Sequence, residues 1–186
     1  MCIRDSTMNP IGAYPPELQA QALQLLEAGQ LADWLRRRFP GGVHGVRTDG
    51  ALYDYVQALK NAHLRNAPPI QKVAYDSKMR VLEHALGMHT RQSRIQGSKL
   101  KAKRDIRIAS LFREVPEPFL RMIAVHELAH VREREHDKAF YALCCHMQPD
   151  YHQVEWSVRL YLLELQRHGT MAVSYTHLRA HETKAN

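Results

Sequence analysis

The spacing of apolar residues predicts two helical segments in the first third of the chain. Between residues 16 and 39, apolar side chains recur every three or four positions, and Gly29 divides this run in two. A Pro-Gly-Gly sequence at residues 40–42 ends the segment. The same periodicity predicts another helix over residues 50–64, with Asp49 as the N-cap of its first turn.

Three segments in the middle of the chain show a different pattern. Residues 70–75 are predicted to form a short strand, whereas the period of residues 78–86 fits either a strand or a helix. From residue 98 to residue 112, apolar side chains alternate with mostly basic ones, which is typical of a strand or hairpin with one face in water. We therefore expect a small mixed sheet here.

The C-terminal part of the chain is predicted to form three helices. Between residues 119 and 131 almost every side chain is apolar, so this helix is expected to be buried. Pro116 and Pro118 fit its first turn, where a backbone N–H has no partner within the helix. Helices over residues 138–147 and 151–166 complete the predicted elements.

The composition is that of an ordinary globular domain. Of 186 residues, 45% are hydrophobic and 24% are charged. No apolar run reaches the ~20 residues that cross a bilayer, so no membrane partner is expected. With only three cysteines and no secretory leader, we expect a cytoplasmic protein.

The two ends of the chain differ in character from the rest. Residues 1–6 and 173–186 resemble translated sequencing-adapter read-through and are interpreted as non-native tails. Between them we expect an N-terminal helical segment over residues 7–66. The domain that carries the chemistry is expected over residues 67–172.

Besides Arg121, three polar residues interrupt the apolar helix, and a buried charge or imidazole without a partner is costly. They are His126, Glu127 and His130, in the sequence His-Glu-Leu-Ala-His. Histidines four positions apart lie ~40° apart around a helix and one turn apart along it, so both imidazoles can reach one cation. Glu127 then lies beside that cation as a general base for a bound water. This pattern is typical of zinc hydrolases.

A catalytic zinc site needs a third protein ligand. His136 is the nearest candidate, but an unbroken helix would turn it about 80° away from His126. The helix must therefore end within residues 131–135 for His136 to reach the same ion. Further candidates lie on the following helices, namely Glu155 and Glu164 and, more weakly, His146 and His152.

Residues 124–151 resemble the YgjP-like metallopeptidase family, which is itself similar to a reduced zincin. The residues that carry the resemblance are His126, Glu127, Leu128, His130, His136, Phe140, Tyr141, Pro149, Asp150 and Tyr151. The resemblance implies an α+β zincin-like domain in which His126, His130 and His136 bind zinc and Glu127 is the general base. It also implies hydrolysis of amide bonds in a peptide or protein substrate.

Three alternative functions stay open. SprT-like proteases, which act on DNA–protein crosslinks, also join HExxH to a later histidine, although usually at a longer interval. A metal-dependent nucleotide phosphohydrolase is the second alternative, and the lack of a Gly-rich phosphate loop in the sequence counts against it. The third is a non-catalytic metal-binding module.

A strongly basic segment over residues 91–107 bears on the choice of partner. Its arginines and lysines stand against a single acid, Asp105, and the sequence pI is about 9.5. Such a surface is able to bind nucleic acid, but it lacks the aromatic residues on which bases stack. We favour the interpretation that it is the solvated face of a strand.

Three residues of the last two helices have two interpretations each. Cys144 and Cys145 lie on an apolar helix and are interpreted as buried fillers rather than as metal ligands. Tyr151 is placed to donate to an oxyanion formed during hydrolysis, although packing of the last helix explains it equally well.

Overall fold

The computed structural model of the chain describes residues 9–79 and 105–167. Its elements are α1 (Pro16–Glu27), α2 (Leu31–Arg38), α3 (Asp49–His63), β1 (Lys72–Asp76), β2 (Asp105–Ala109), a 3-10 helix (Ser110–Glu114), α4 (Glu117–Ala129), α5 (Lys138–Met147) and α6 (Tyr151–Arg167). This set of helices and strands confirms the predicted α+β class. The predictions that fall on residues 1–6, 80–104 and 173–186 lie outside the described residues.

The N-terminal helices form where the apolar spacing predicts them. Gly29 lies between α1 and α2 with a φ of 68°, a left-handed conformation that glycine adopts without a Cβ clash. Leu31 and Leu35 are the buried residues of α2, which packs on α6. Phe39 follows α2 and packs edge-on against Phe119 of α4, with ring centroids 4.7 Å apart. The N-terminal helices therefore share one core with the C-terminal ones.

The first turn of α3 is capped by a different residue from the predicted one. Thr48 is the N-cap, and its side-chain oxygen accepts from the backbone N–H of Ala51 at 3.1 Å. Asp49 is already part of the helix, and its Oδ1 accepts from the backbone N–H of Tyr75 at 3.0 Å. The prediction of Asp49 as the cap is wrong because the threonine before it takes that role. Asp49 instead connects α3 to β1.

The two described strands are parallel, with Val73 opposite Ile106 and Tyr75 opposite Ile108. These four side chains are buried, and α3 and α4 pack on the sheet. The sheet is small, as predicted, but its described part is parallel rather than mixed. The strand predicted to continue to residue 112 ends sooner, because the chain turns into a 3-10 helix after Ala109.

Helix α4 lies at the centre of the molecule and is buried along most of its length. Pro116 is its N-cap and Pro118 lies in its first turn, which confirms the predicted start. The helix ends at Ala129, sooner than the predicted end at residue 131. Helices α3, α5 and α6 and strand β2 all pack against it. The apolar character of α4 thus reflects contacts on several sides.

Helix α6 is the longest described helix, with 17 residues. Two acidic side chains, Glu155 and Glu164, are buried on it among apolar residues.

None of the helices in residues 9–79 and 105–167 combines the length and the apolarity that crossing a membrane requires.

Candidate metal centre

Three histidines converge at the C-terminal end of α4. His126 lies in the last turn of the helix, His130 is its C-cap, and His136 lies in the loop before α5. Nε2 of His136 is 3.0 Å from Nε2 of His126 and 3.1 Å from Nε2 of His130. Each side chain thus presents one ring nitrogen to the other two, within 4.8 Å. The structure brings together the three residues that the sequence predicts as ligands.

The loop returns His136 to the helix end because α4 stops early. The backbone N–H of Glu133 donates to the carbonyl of Ala129 at 2.9 Å and closes a turn directly after the helix. The sequence predicts this break within residues 131–135, whereas the helix already ends at Ala129. The polar residues that follow form the returning loop, and they leave the core, as predicted.

Phe140 packs against all three imidazoles. Its ring centroid lies 4.9 Å from that of His126 and 4.6 Å from those of His130 and His136. Its side chain is fully buried. Asp137, the N-cap of α5, accepts from the backbone N–H of Phe140 at 3.0 Å and fixes the start of this helix. The aromatic ring therefore supports the histidines from the protein interior and restricts their orientations.

Contacts of the outer ring nitrogens indicate the tautomers. Nδ1 of His130 is 3.0 Å from the carbonyl oxygen of Glu133. Because a carbonyl only accepts, Nδ1 of His130 carries the proton and Nε2 presents a lone pair to the cluster. Nδ1 of His126 is 2.8 Å from the hydroxyl of Tyr151. A hydroxyl both donates and accepts, so His126 also presents a lone pair on Nε2 when its Nδ1–H donates to Tyr151.

Burial favours the neutral form of His126. Its pKa lies well below the usual value, first because of burial and then because of repulsion from His130, His136 and Arg159. Neutral imidazole is the form that binds a metal. In a tetrahedral zinc site with Zn–N bonds of 2.0–2.1 Å, ligand nitrogens lie about 3.3 Å apart. The observed 3.0 and 3.1 Å are close to that spacing, so the three histidines fit a divalent metal ion.

Glu127 follows His126 on α4 but is not part of the histidine cluster. The residue as a whole is half-buried, and the protein around its carboxyl group raises the pKa to about 7 by burial. A carboxyl group with such a pKa can both accept and release a proton near neutral pH. Its predicted role as general base stays a prediction.

The other candidate ligands are not part of the cluster, which is the one group of three or more such residues in the described part of the chain. Glu155 accepts a hydrogen bond from Arg159 at 3.0 Å. His146 packs edge-on against His63, with ring centroids 5.7 Å apart. The remaining candidates on α6 are Glu164 and His152.

The structure also shows the surroundings of Cys144, Cys145 and Tyr151, for each of which the sequence allows two interpretations. Cys144 is fully buried, as predicted for a filler, and burial raises the pKa of its thiol to about 12. Cys145 is only half-buried. The hydroxyl of Tyr151 contacts His126, a partner that the sequence does not indicate because 25 positions separate the two residues. The sequence draws attention to Tyr151 only through its place in the family pattern.

The fold and the three-histidine cluster together define the class of protein. The chain belongs to the YgjP-like family, whose metallopeptidase-domain model matches residues 50–159. This range includes all three histidines and extends from α3 into α6. The chain is therefore a metal-dependent hydrolase with a zincin-like fold. The predicted domain boundary between residues 66 and 67 stays a prediction.

A relative gives a more particular indication. The chain is 56% identical over 160 residues to a protein named UTP pyrophosphatase from Escherichia coli (strain K12). The aligned part covers 86% of this chain and 95% of the relative. No solved structure shows a significant match to the chain. The family description and the relative's name thus refer to hydrolysis of different bonds.

Proposed function

We propose that this chain is a metal-dependent pyrophosphatase that hydrolyses UTP or a related nucleoside triphosphate to the monophosphate and pyrophosphate. The observation that carries the proposal is the 56% identity, over 160 residues, to a protein named UTP pyrophosphatase. The sequence motif favours a metallopeptidase, with nucleotide hydrolysis as an alternative. The similarity favours that alternative, because it covers nearly the whole relative rather than one motif.

In this proposal His126, His130 and His136 are the metal ligands. Three imidazoles suit Zn²⁺ well, although they also accept other transition metals. When bound, the ion supplies Lewis acidity at a phosphoryl oxygen and lowers the pKa of a water molecule towards neutrality. Hydrogen bonds from outer ring nitrogens and the packing of Phe140 keep the imidazoles in place.

Glu127 is the proposed proton acceptor. Hydrolysis forms a bond between the oxygen of water and the α-phosphorus and breaks the bond from that phosphorus to the oxygen bridging the β-phosphate. The bridging oxygen leaves with pyrophosphate, and one proton leaves the attacking water. A carboxylate with a pKa of about 7 is basic enough to take that proton and acidic enough to give it up again.

The charge of the chain supports a polyanionic substrate. The formal net charge is +7 at pH 7. Arg132 and Arg134 are exposed in the loop that joins His130 to His136, so two guanidinium groups belong to the segment that forms the site. Arginine is well suited to bind phosphate oxygens, and a positive field raises the local concentration of a triphosphate.

Hydrolysis of amide bonds is the second candidate function, because the family description names a metallopeptidase domain. The decisive experiment offers the zinc-loaded protein both substrate classes. UTP, CTP, ATP and GTP are tested for release of pyrophosphate, and an unstructured peptide library is tested for cleavage by mass spectrometry. Both assays are repeated with a chelator and with Glu127→Gln.

We expect UTP to yield UMP and pyrophosphate, and we expect the chelator to stop the reaction. Peptides should remain intact under the same conditions. Cleaved peptides together with intact nucleotides would overturn the proposal in favour of a peptidase. Release of phosphate rather than pyrophosphate would also contradict it, because a different bond would then be broken.

A further inference from the structure

We propose that Tyr151 is a positioning residue of the metal centre, whose hydroxyl fixes His126 in the orientation and tautomer that present Nε2 to the metal. The inference rests on the proposed function only in so far as both require a metal at the three histidines. In this role the Tyr151 hydroxyl contacts the outer nitrogen of a metal ligand and does not touch the reacting atoms.

The contact between Tyr151 and His126 is short and shielded from water. The phenolic oxygen lies 2.8 Å from Nδ1 of His126. Tyr151 is 0% exposed and His126 is 3% exposed, so bulk water does not compete for either group. Tyr151 begins α6 and His126 lies in the last turn of α4. The hydrogen bond therefore connects two helices directly behind the proposed ligand.

The direction of this hydrogen bond decides which nitrogen of His126 carries the proton. Nδ1 of His126 and the hydroxyl of Tyr151 can each donate or accept at this contact. When Nδ1–H of His126 donates to the phenolic oxygen, the proton of the neutral ring lies on Nδ1. In that arrangement Nε2 of His126 carries no proton and is available to a metal.

For His130, a backbone carbonyl has the acceptor role that the Tyr151 hydroxyl has for His126. Nδ1 of His130 donates to the carbonyl of Glu133 at 3.0 Å, which leaves its Nε2 unprotonated. Histidines that bind metals commonly donate their other ring N–H to a fixed acceptor, and loss of that acceptor weakens metal binding. A backbone carbonyl cannot be removed by substitution, so Tyr151 is the acceptor that can be tested.

The rest of α6 holds Tyr151 in place. Glu155 and Arg159 follow it at successive turns of the helix. Arg159 donates to Glu155 at 3.0 Å and to the carbonyl oxygen of Pro10 at 2.9 Å. These bonds connect α6 to the segment before α1 and limit rotation of the helix. The hydroxyl of Tyr151 is therefore preorganised towards His126.

The test compares Tyr151→Phe, which removes the hydroxyl and keeps the ring, with a matched control, Tyr75→Phe. Tyr75 is also largely buried and its hydroxyl donates to the carbonyl of Val46 at 2.7 Å, far along the chain from the histidines. Zn²⁺ affinity is measured by competition with a chromophoric chelator. The absorption spectrum of the Co²⁺-loaded protein reports the ligand geometry, and thermal unfolding of the metal-free protein reports stability.

We expect Tyr151→Phe to bind Zn²⁺ about 10–100-fold more weakly than the wild type and to change the Co²⁺ spectrum. Tyr75→Phe should keep both properties, even if it unfolds at a lower temperature. Wild-type affinity and spectrum in Tyr151→Phe would overturn the inference and leave the proposed function standing. A wild type that binds neither metal would overturn both. A wild type that binds zinc but leaves UTP intact would refute the proposed function alone.

Discussion

Nε2 of His126 and Nε2 of His136 lie 3.0 Å apart, although ten positions separate the two residues in the chain. A pair of neutral imidazoles can share at most one proton at such a contact, and His130 brings a third nitrogen to the same place. A metal ion satisfies all three lone pairs together. The convergence of the rings is thus explained best by a bound cation.

Replacing His136 by alanine should weaken Zn²⁺ binding by more than about 100-fold, because loss of a direct ligand exceeds the effect of losing a supporting hydrogen bond. The fold should persist, since His136 lies in a loop. His146→Ala is the matched control, as that residue packs against His63 and is not part of the histidine cluster. Metal content after dialysis and chelator competition provide the measurement. Undiminished zinc content in His136→Ala would remove the residue from the ligand set.

Replacing Glu127 by glutamine should lower kcat for UTP by about 10²–10⁴-fold, because an amide cannot accept the proton of the attacking water. The zinc content should not change, since Glu127 is not part of the histidine cluster. Steady-state kinetics and metal analysis on the same preparation distinguish the two effects.

Glu133→Gln is the matched control for this prediction. It changes a nearby carboxylate but keeps the backbone carbonyl that accepts from His130. We expect it to retain wild-type kcat. Equal losses in both variants would mean that negative charge in this region matters in general, and Glu127 would then have no special role in proton transfer.

The sequence predicts α4 and its two histidines well because burial and helical geometry decide both. A helix that is apolar on all sides must lie in the core, and residues four apart must share a face. The return of His136 is also predictable, since the all-polar run at residues 132–135 can leave the core and end the helix. Periodicity does not reveal where a regular element ends. The alternation of apolar and basic residues continues to residue 112, so it does not indicate that the strand ends at Ala109 and that a 3-10 helix follows.

Contacts between distant elements escape sequence reasoning. The hydroxyl of Tyr151 reaches His126 because α6 packs against α4, which neither helix's own sequence indicates. The substrate cannot be predicted from the motif either, since HExxH indicates how a water molecule is activated and not which bond it attacks. The motif alone therefore favours a peptidase, and similarity over a much longer stretch is needed to favour a nucleotide.

The corrected cap of α3 predicts the effect of substitutions at Thr48. Thr48→Ala should lower the free energy of unfolding by about 1 kcal/mol, because the backbone N–H of Ala51 loses its acceptor. Thr48→Ser keeps the hydroxyl and should differ little from the wild type. Urea unfolding of the metal-free protein measures both. A larger loss in Thr48→Ser than in Thr48→Ala would show that the hydroxyl is not the stabilising group.

His44 predicts a decrease in stability at low pH. Its Nδ1 accepts from the backbone N–H of Val46 at 3.0 Å, and its Nε2 donates to the carbonyl of Phe112 at 2.7 Å. Both nitrogens are therefore satisfied only in the neutral form. Burial, as the largest cause, lowers the pKa of His44 below its usual 6.5. A proton on Nδ1 would meet an N–H group instead of an acceptor.

As the pH falls below 6.5, the unfolded chain takes up a proton at residue 44 that the folded chain still excludes. The free energy of unfolding should therefore fall with pH, by at most about 1.4 kcal/mol per pH unit for this one group. The loss ends once the pH has fallen through the folded pKa, and above 6.5 the stabilisation is complete.

His44→Gln is the test, because glutamine keeps a donor and an acceptor but does not titrate. Urea unfolding with a chelator present, at pH 7.5, 6.5 and 5.5, gives the slope of stability for each protein. Other buried groups, such as His126, contribute to both slopes and cancel in the difference. We expect a shallower slope in the variant. If the two slopes agree, protonation of His44 does not limit the acid stability of the fold.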